Sequence, residues 1–272
     1  MRIGIVAPST PIAADVVDQV RDLAALHHPG VELVFHAQCL LAHGHFAGTD
    51  AQRAEAFIAV ANDSSFDALW FARGGYGSCR IAEWVLGELG PAARDKIYLG
   101  YSDAGFVLAG LYKAGFPNVV HGPMPADIRR DGGEAAVLRA LAWLEKRSVD
   151  ALEPGVSGAE RAAAFNITVL SQMLGTPLEP DLGGHVLLLE EVSEHRYRTD
   201  RALFHITGNA GVRRAAGIRL GRCSLVPDND PPFGSSDEEV ARYWCERSGI
   251  PYLGTADIGH DSDNKVVPFG TA

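Results

Sequence analysis

The chain has 272 residues, 47% apolar and 21% charged, an ordinary globular composition that can bury a large core without metal or disulfide staples. Its formal net charge of −10, with Lys and Arg scattered, argues against a nucleic-acid binder, and no run approaches the apolar length of a membrane span. Length alone allows one or two domains.

In chain order, "MRIGIVAPSTP" has only a short apolar run before Pro8, unlike a signal peptide, which points to a cytoplasmic protein. "RIGIVAP" reads as a buried strand, "ADVVDQVRDLAALHH" as a helix and "VELVFHA" as a second strand. "DAQRAEAFIAVAND" is a helix with Asp50 as its expected N-cap. "FDALWFARGGYG" is a strand entering a glycine-rich turn, followed by the helix "RIAEWVLGEL". "KIYLGYS" is a fourth strand, "AGFVLAGLYKAG" its helix and "NVVHGP" a short fifth strand. This alternation predicts a Rossmann-like parallel sheet covered by helices on both faces. Its ligand would sit at the carboxyl ends of the strands, where "APSTP", "ARGGYGS" and "GYSDAG" fall. The boundaries follow as an α/β domain over 1–146, a Pro/Gly-rich linker over 147–163 and a smaller, β-richer α/β domain over 164–272. The second domain holds short strands or apolar runs in "AAFNITVLSQML", "HVLLLEEV", "IRLGRCSLV" and "PYLGTADIGH", and helices near 199–208 and 236–248. The cysteines, Cys39, Cys79, Cys223 and Cys245, form no CxxC motif and read as free thiols of a reducing compartment.

Ser102 stands at the turn between the fourth strand and its helix, where a side chain is thrust out beside the N–H groups of the helix start. A serine becomes a nucleophile only with an adjacent base, itself oriented by a third group. The plainer alternative is a helix N-cap. In "ARGGYGS", Gly74 or Gly75 suits donation of an N–H to an oxyanion; the spacing lacks GxGxxG, which disfavours a nucleotide cradle. Among the histidines, His27 and His28 read as surface residues, His43 and His45 as loop residues without a second ligand cluster, and His121 as a pocket residue. His260, in "ADIGHDSDN", is either a base or a solvated loop residue. Glu190 and Glu191 end an apolar run; as strand neighbours they face opposite ways and cannot share a role, unless the strand simply runs out to solvent. Arg73 is chemically suited to hold a carboxylate, or is structural.

Taken together, these motifs resemble the LD-carboxypeptidase family of serine peptidases, nearly end to end. The match runs in order through "IVAPSTP", "HFAGTDAQRAEAF", "ARGGYGSCRI", "LGYSDAG", "VVHGPM", "FNITVLSQMLGTPLEPDLGGHVLLLEEVSEHRYRTDRAL" and "IGHDSDNKVVPFG". The resemblance implies a triad of Ser102 as nucleophile, His260 as general base and Glu190 as orienting acid. It places the oxyanion at the backbone of Gly75 and Asp103, and substrate contacts at Gly74, Arg73 and Asn166. It implies no metal or organic cofactor, a homodimer, and release of terminal D-alanine from murein tetrapeptide during cytoplasmic cell-wall recycling. Relatives that inactivate microcin C-like peptide-nucleotide antibiotics share the triad and supply the alternative; Trp70, Phe165 and Phe233 would be its stacking surfaces. The chain has Ala164-Phe165-Asn166 where the family often shows GGN, so Phe165 is expected to reshape the pocket.

Overall fold

A computed structural model describes residues 1–156 and 160–271. Strand β1 (Arg2–Val6) leads into helix α1 (Ala14–His27), β2 (Glu32–Phe35), α2 (Asp50–Asn62) and β3 (Ala68–Phe71). Next come α3 (Ala82–Gly87), β4 (Ile97–Gly100), α4 (Gly105–Lys113), β5 (Val119–His121) and α5 (Gly133–Lys146). The Pro/Gly-rich segment read as a linker carries two 3₁₀ turns, and β6 (Arg161–Asn166) begins inside it; residues 157–159 of that segment lie outside the described residues. The chain continues with α6 (Ile167–Met173), β7 (His185–Val192), α7 (Arg196–Gly208), β8 (Gly217–Ser224), α8 (Asp237–Ser248), β9 (Tyr252–Thr255) and β10 (Val267–Pro268).

The first sheet has the order β10-β5-β4-β3-β1-β2, and the second β6-β7-β8-β9. All pairings are parallel except that of β10 with β5. Parallel strands need crossovers, and the helices supply them, covering the first sheet on both faces. Phe57, Val85 and Leu108 pack on one face, and Val16, Val20, Val137 and Leu141 on the other. Alternating helical and strand periods produce this architecture directly. Helix α5 has no counterpart in the sequence reading, and two further details differ from it. Helix α2 is capped by Thr49, whose hydroxyl accepts from the Gln52 N–H while the Gln52 side chain returns to the Thr49 N–H; Asp50 is its first residue. "FNITVLSQM" is a strand end followed by a helix, with Asn166 as the N-cap accepting from the Val169 N–H.

The two sheets share one apolar cluster. Phe106, Val107 and Leu111 of α4 belong to the same buried group as Phe165, Val169, Leu170, Leu187 and Ile206. Strand β10 also crosses back: it comes from the end of the chain and pairs antiparallel with β5, Val267 opposite His121.

Candidate active site

Ser102 has φ of +59°, a left-handed backbone that ordinary L-residues avoid and that costs on the order of 1–3 kcal/mol unless its surroundings impose it. The surroundings are specific. A Cβ on Gly74 would lie 2.9 Å from Ser102 Cβ and Oγ, so only glycine lets the "RGGYG" backbone come this close. The Thr10 hydroxyl donates to the Gly74 carbonyl at 2.6 Å, which turns the Gly75 N–H the opposite way across the same peptide plane. Gly75 itself has φ of +107°. Among the described residues, neither the Gly75 nor the Asp103 N–H finds an acceptor. The Asp103 side chain is occupied elsewhere. Its carboxylate accepts from the Ser9 hydroxyl and, at 2.8 Å, from the Ser78 N–H, tying together the loops after β1, β3 and β4. Burial holds the Asp103 carboxyl above its usual range. Buried Arg53 donates to the carbonyls of Pro8 and Gly77 and so clamps two of the same loops from below.

From the second sheet come the other two groups. Glu190, fully buried near the end of β7, accepts a 2.6 Å hydrogen bond from His260 Nδ1, in the loop after β9. Donation from Nδ1 leaves Nε2 of the neutral ring as an acceptor. Burial works against the His260 imidazolium, but the charge and hydrogen bond of Glu190 outweigh it, so its pKa stands above the ordinary histidine value. Glu191 faces elsewhere: it accepts from the Asn166 side-chain amide, the N–H and hydroxyl of Thr168, and the Val192 N–H, at 2.7–2.9 Å. The strand does not run out to solvent, since both carboxylates are buried.

Ser102 opens onto two cavities of about 540 Å³ each. One is lined by His260, Arg73, Gly74, Tyr101 and Arg130, the other by Asn166, Glu191, Tyr76 and Glu83; Gly75 and Ser102 border both. No hydrogen bond joins Ser102 to His260 among the described residues, though both face the first cavity. Arg73 is exposed there, its Nη1 donating to the Pro11 carbonyl at 3.2 Å. Asn166 lines the second, with its side-chain oxygen committed to the α6 cap and its amide nitrogen to Glu191. A larger cavity of about 800 Å³ lies apart from these residues, among Tyr112, Arg161, His185 and Arg214.

Several sequence expectations are corrected by burial. His28 is not a surface residue; it is 7% exposed and bonds Glu145 at 2.7 Å. His121 is buried behind Tyr101, with its Nε2 on Asn264 Oδ1 at 3.1 Å, and burial pushes its pKa down to about 4. Trp70 and Phe165 belong to the core, Phe165 against Phe269, so Phe165 does not reshape either cavity at Ser102 and neither ring offers a stacking surface. Among the described residues no group of three or more His, Cys, Asp or Glu side chains is placed to hold a metal ion, and no helix is long and apolar enough to cross a membrane.

No motif in the sequence pointed to Asp127 or Arg130, in the turn after β5. Tyr101 OH donates to Asp127 at 2.7 Å; Arg130 donates to Asp127 at 2.8 Å, to Tyr101 OH at 3.3 Å and to the His260 carbonyl at 2.6 Å. The Tyr101 ring lies 4.8 Å from the His260 ring, centre to centre. Arg139 of α5 holds the carbonyls of Ser262 and Asn264 in the same loop.

Comparison with known proteins agrees with this architecture. Residues 3–122 match the LD-carboxypeptidase N-terminal domain, and residues 161–272 the LD-carboxypeptidase C-terminal domain. The murein tetrapeptide carboxypeptidase of Pseudomonas aeruginosa is 27% identical over 99% of this chain and 91% of its own length. In fold, the chain is similar to muramoyltetrapeptide carboxypeptidase from Oxalobacter formigenes, with a TM-score of 0.80 at 22% identity over 99% of this chain and 93% of that one. It is also similar in fold to the microcin C7 self-immunity protein bound to aspartyl sulfamoyl adenosine, with a TM-score of 0.79 at 18% identity over 99% and 91% of the two chains. With both of its domains matched in order across most of its length, this chain belongs to the LD-carboxypeptidase family.

Proposed function

We propose that the protein is a serine LD-carboxypeptidase that releases terminal D-alanine from murein tetrapeptide. The observation that carries this reading is the 2.6 Å pair of His260 and Glu190, facing the cavity onto which the strained Ser102 opens. Ser102 Oγ attacks the carbonyl carbon of the L-configured centre before D-alanine, and His260 Nε2 takes the hydroxyl proton. The new oxyanion is held by the Gly75 and Asp103 N–H groups. Collapse breaks the C–N bond, and the departing amine of D-alanine receives its proton from His260. Water then attacks the acyl-serine, with His260 again as base, and frees Ser102. Glu190 keeps the imidazole in the Nδ1–H tautomer and stabilises the imidazolium between these steps. Ser102 and His260 close to bonding distance when substrate fills the cavity, as catalytic hydrogen bonds commonly do.

The leaving group must lie on the side of its proton donor, which is the His260 cavity. Arg73 in that cavity is the cation with no carboxylate partner among the described residues, and so is assigned to the D-alanine carboxylate. The second cavity takes the acyl side, with Asn166 contributing to its wall. Murein peptide is preferred over a peptide-nucleotide toxin because none of the three expected stacking rings lines a cavity at Ser102: Trp70 and Phe165 are buried, and half-buried Phe233 lies outside both cavities. The reading includes a cytoplasmic location and a homodimer, the latter resting on family resemblance alone.

The test is Ser102→Ala. Loss of a triad nucleophile costs on the order of a millionfold in turnover. A purified, folded Ser102→Ala protein that still releases D-alanine from murein tetrapeptide at a near-normal rate would refute the reading.

A further inference from the structure

Arg130 lies in the His260 cavity, and the reaction described above makes no use of it. Its guanidinium is not waiting for a ligand. Nε is paired with Asp127, Nη2 with the Tyr101 hydroxyl and Nη1 with the His260 carbonyl. Asp127 is itself 4% exposed and has its other oxygen on the Met124 N–H. The three bonds radiate from one planar fork, a geometry that a lysine ammonium does not reproduce. Each of them ends on His260 or on a group that holds Tyr101 against the His260 ring.

We propose that Arg130, with Asp127 and Tyr101, is the positioning device for the general base: it fixes the His260 ring from behind, while Glu190 fixes it at Nδ1. The proposal rests on the role of His260 given above. Glu190 alone holds one edge of the ring and leaves rotation about that bond open. The Tyr101 face and the tethered His260 backbone remove that freedom, so that Nε2 stays aimed at the nucleophile. An aim of this kind matters, because a displacement of about 1 Å can cost on the order of a hundredfold in rate.

The same residue sets the charge around the ring. The groups facing His260 are Glu190 from β7, Asp127 and Arg130 from the turn after β5, Tyr101 after β4, His121 of β5, and the Arg222–Asp261 pair beside it. Glu190 and Asp127 favour the imidazolium, and Arg130 opposes it. Tyr101 stays neutral, because burial and then Asp127 raise its pKa well above the ordinary value. His121 is neutral too at neutral pH, with a pKa of about 4. Removing the Arg130 charge therefore lets His260 protonate at higher pH.

The experiment measures kcat and KM across pH for Arg130→Gln, Arg130→Lys and Tyr101→Phe on one D-alanine-terminated peptide. Arg130→Gln is expected to lower kcat about 10–100-fold with KM little changed, and to move the acid limb upward. Arg130→Lys keeps the charge, so its acid limb stays near that of the wild type while kcat remains low. Tyr101→Phe keeps the ring and loses only the hydroxyl; it should lower kcat by less than Arg130→Gln, and it decides the matter if the arginine variants fail to fold. A raised KM with unchanged kcat would make Arg130 a substrate-binding residue and overturn the proposal. So would folded variants with kcat and acid limb both unchanged. Activity that survives Ser102→Ala on the same peptide instead overturns the parent reading.

Discussion

Ser102 owes its reach to a backbone that its own chemistry resists. A serine with φ of +59° persists because neighbouring loops leave no alternative, and its left-handed turn lifts Oγ clear of the sheet. His260 is as dependent on context: burial disfavours its charged form, and Glu190 more than compensates. With His260 as the proposed general base, activity needs neutral imidazole, so it should fall as pH drops through a pKa above the ordinary value of about 6.5. Because the folded pKa is the raised one, the stability contributed by the pair runs the other way. It is fully present below the unfolded pKa and is lost as pH rises through the folded value. The pH profile of kcat/KM should thus have its acid midpoint above about 6.5, and Glu190→Gln should lower that midpoint. A wild-type midpoint at or below about 6.5 would show that burial outweighs the carboxylate.

Strand β7 shows how an element distributes two identical residues between two jobs. "HVLLLEEV" is buried from His185 to Glu191, and the period of two turns Glu190 to His260 and Glu191 to the start of α6. The pairing register with β8 shifts between Leu189 and Glu191, at the point where the strand delivers both carboxylates. Glu190→Gln should cost about 10⁴ in turnover, as in the chymotrypsin-type triad where an equivalent change was measured. Glu191→Gln should act mainly on stability. A glutamine turns a donor toward either Asn166 and Val192 or Thr168, leaving buried N–H groups opposed, at roughly 1–3 kcal/mol. Urea midpoints and turnover for both folded variants decide it; a larger turnover loss for Glu191→Gln would reverse the assignment of the acid. The alternation was readable beforehand. The partners Asn166 and Thr168 of Glu191 were not, because they lie 25 and 23 residues away. Helix α1 shows the opposite case, since Val16, Val17, Val20 and Ala24 carry a plain helical period and the sequence reads as a helix there.

Across the whole molecule, the site exists because two sheets present the carboxyl ends of their strands to one another. The seam between them is an apolar cluster shared by α4, α6 and β7. His121 sits on it, where β5 meets β10 and where Asn264 Oδ1 also accepts from the Gly259 N–H next to His260. Its pKa of about 4 is a statement about stability. The unfolded chain binds this proton near pH 6.5 and the folded one does not. Stability is therefore lost as pH falls from about 6.5 to about 4, by about 3 kcal/mol, and no further below that. Urea unfolding of wild type and His121→Gln across this range should show a flatter dependence for the variant; equal slopes would mean that the seam does not exclude the charge.

By itself the sequence determined the alternating strands and helices and the loops that would meet, while Ser102, Glu190 and His260 were singled out together only through the resemblance to a family. The first two depend on local periods and on glycines after strands, which are legible along a line. Only the tertiary structure decided which histidine is neutral and buried, which carboxylate is committed to the backbone, and that Arg130 reaches the His260 carbonyl across 130 positions. It also decided that the C-terminal strand returns to the first sheet. These facts turn on desolvation and on contacts between distant segments, and the energy of a charge or a strand edge is fixed by what surrounds it rather than by its neighbours in sequence.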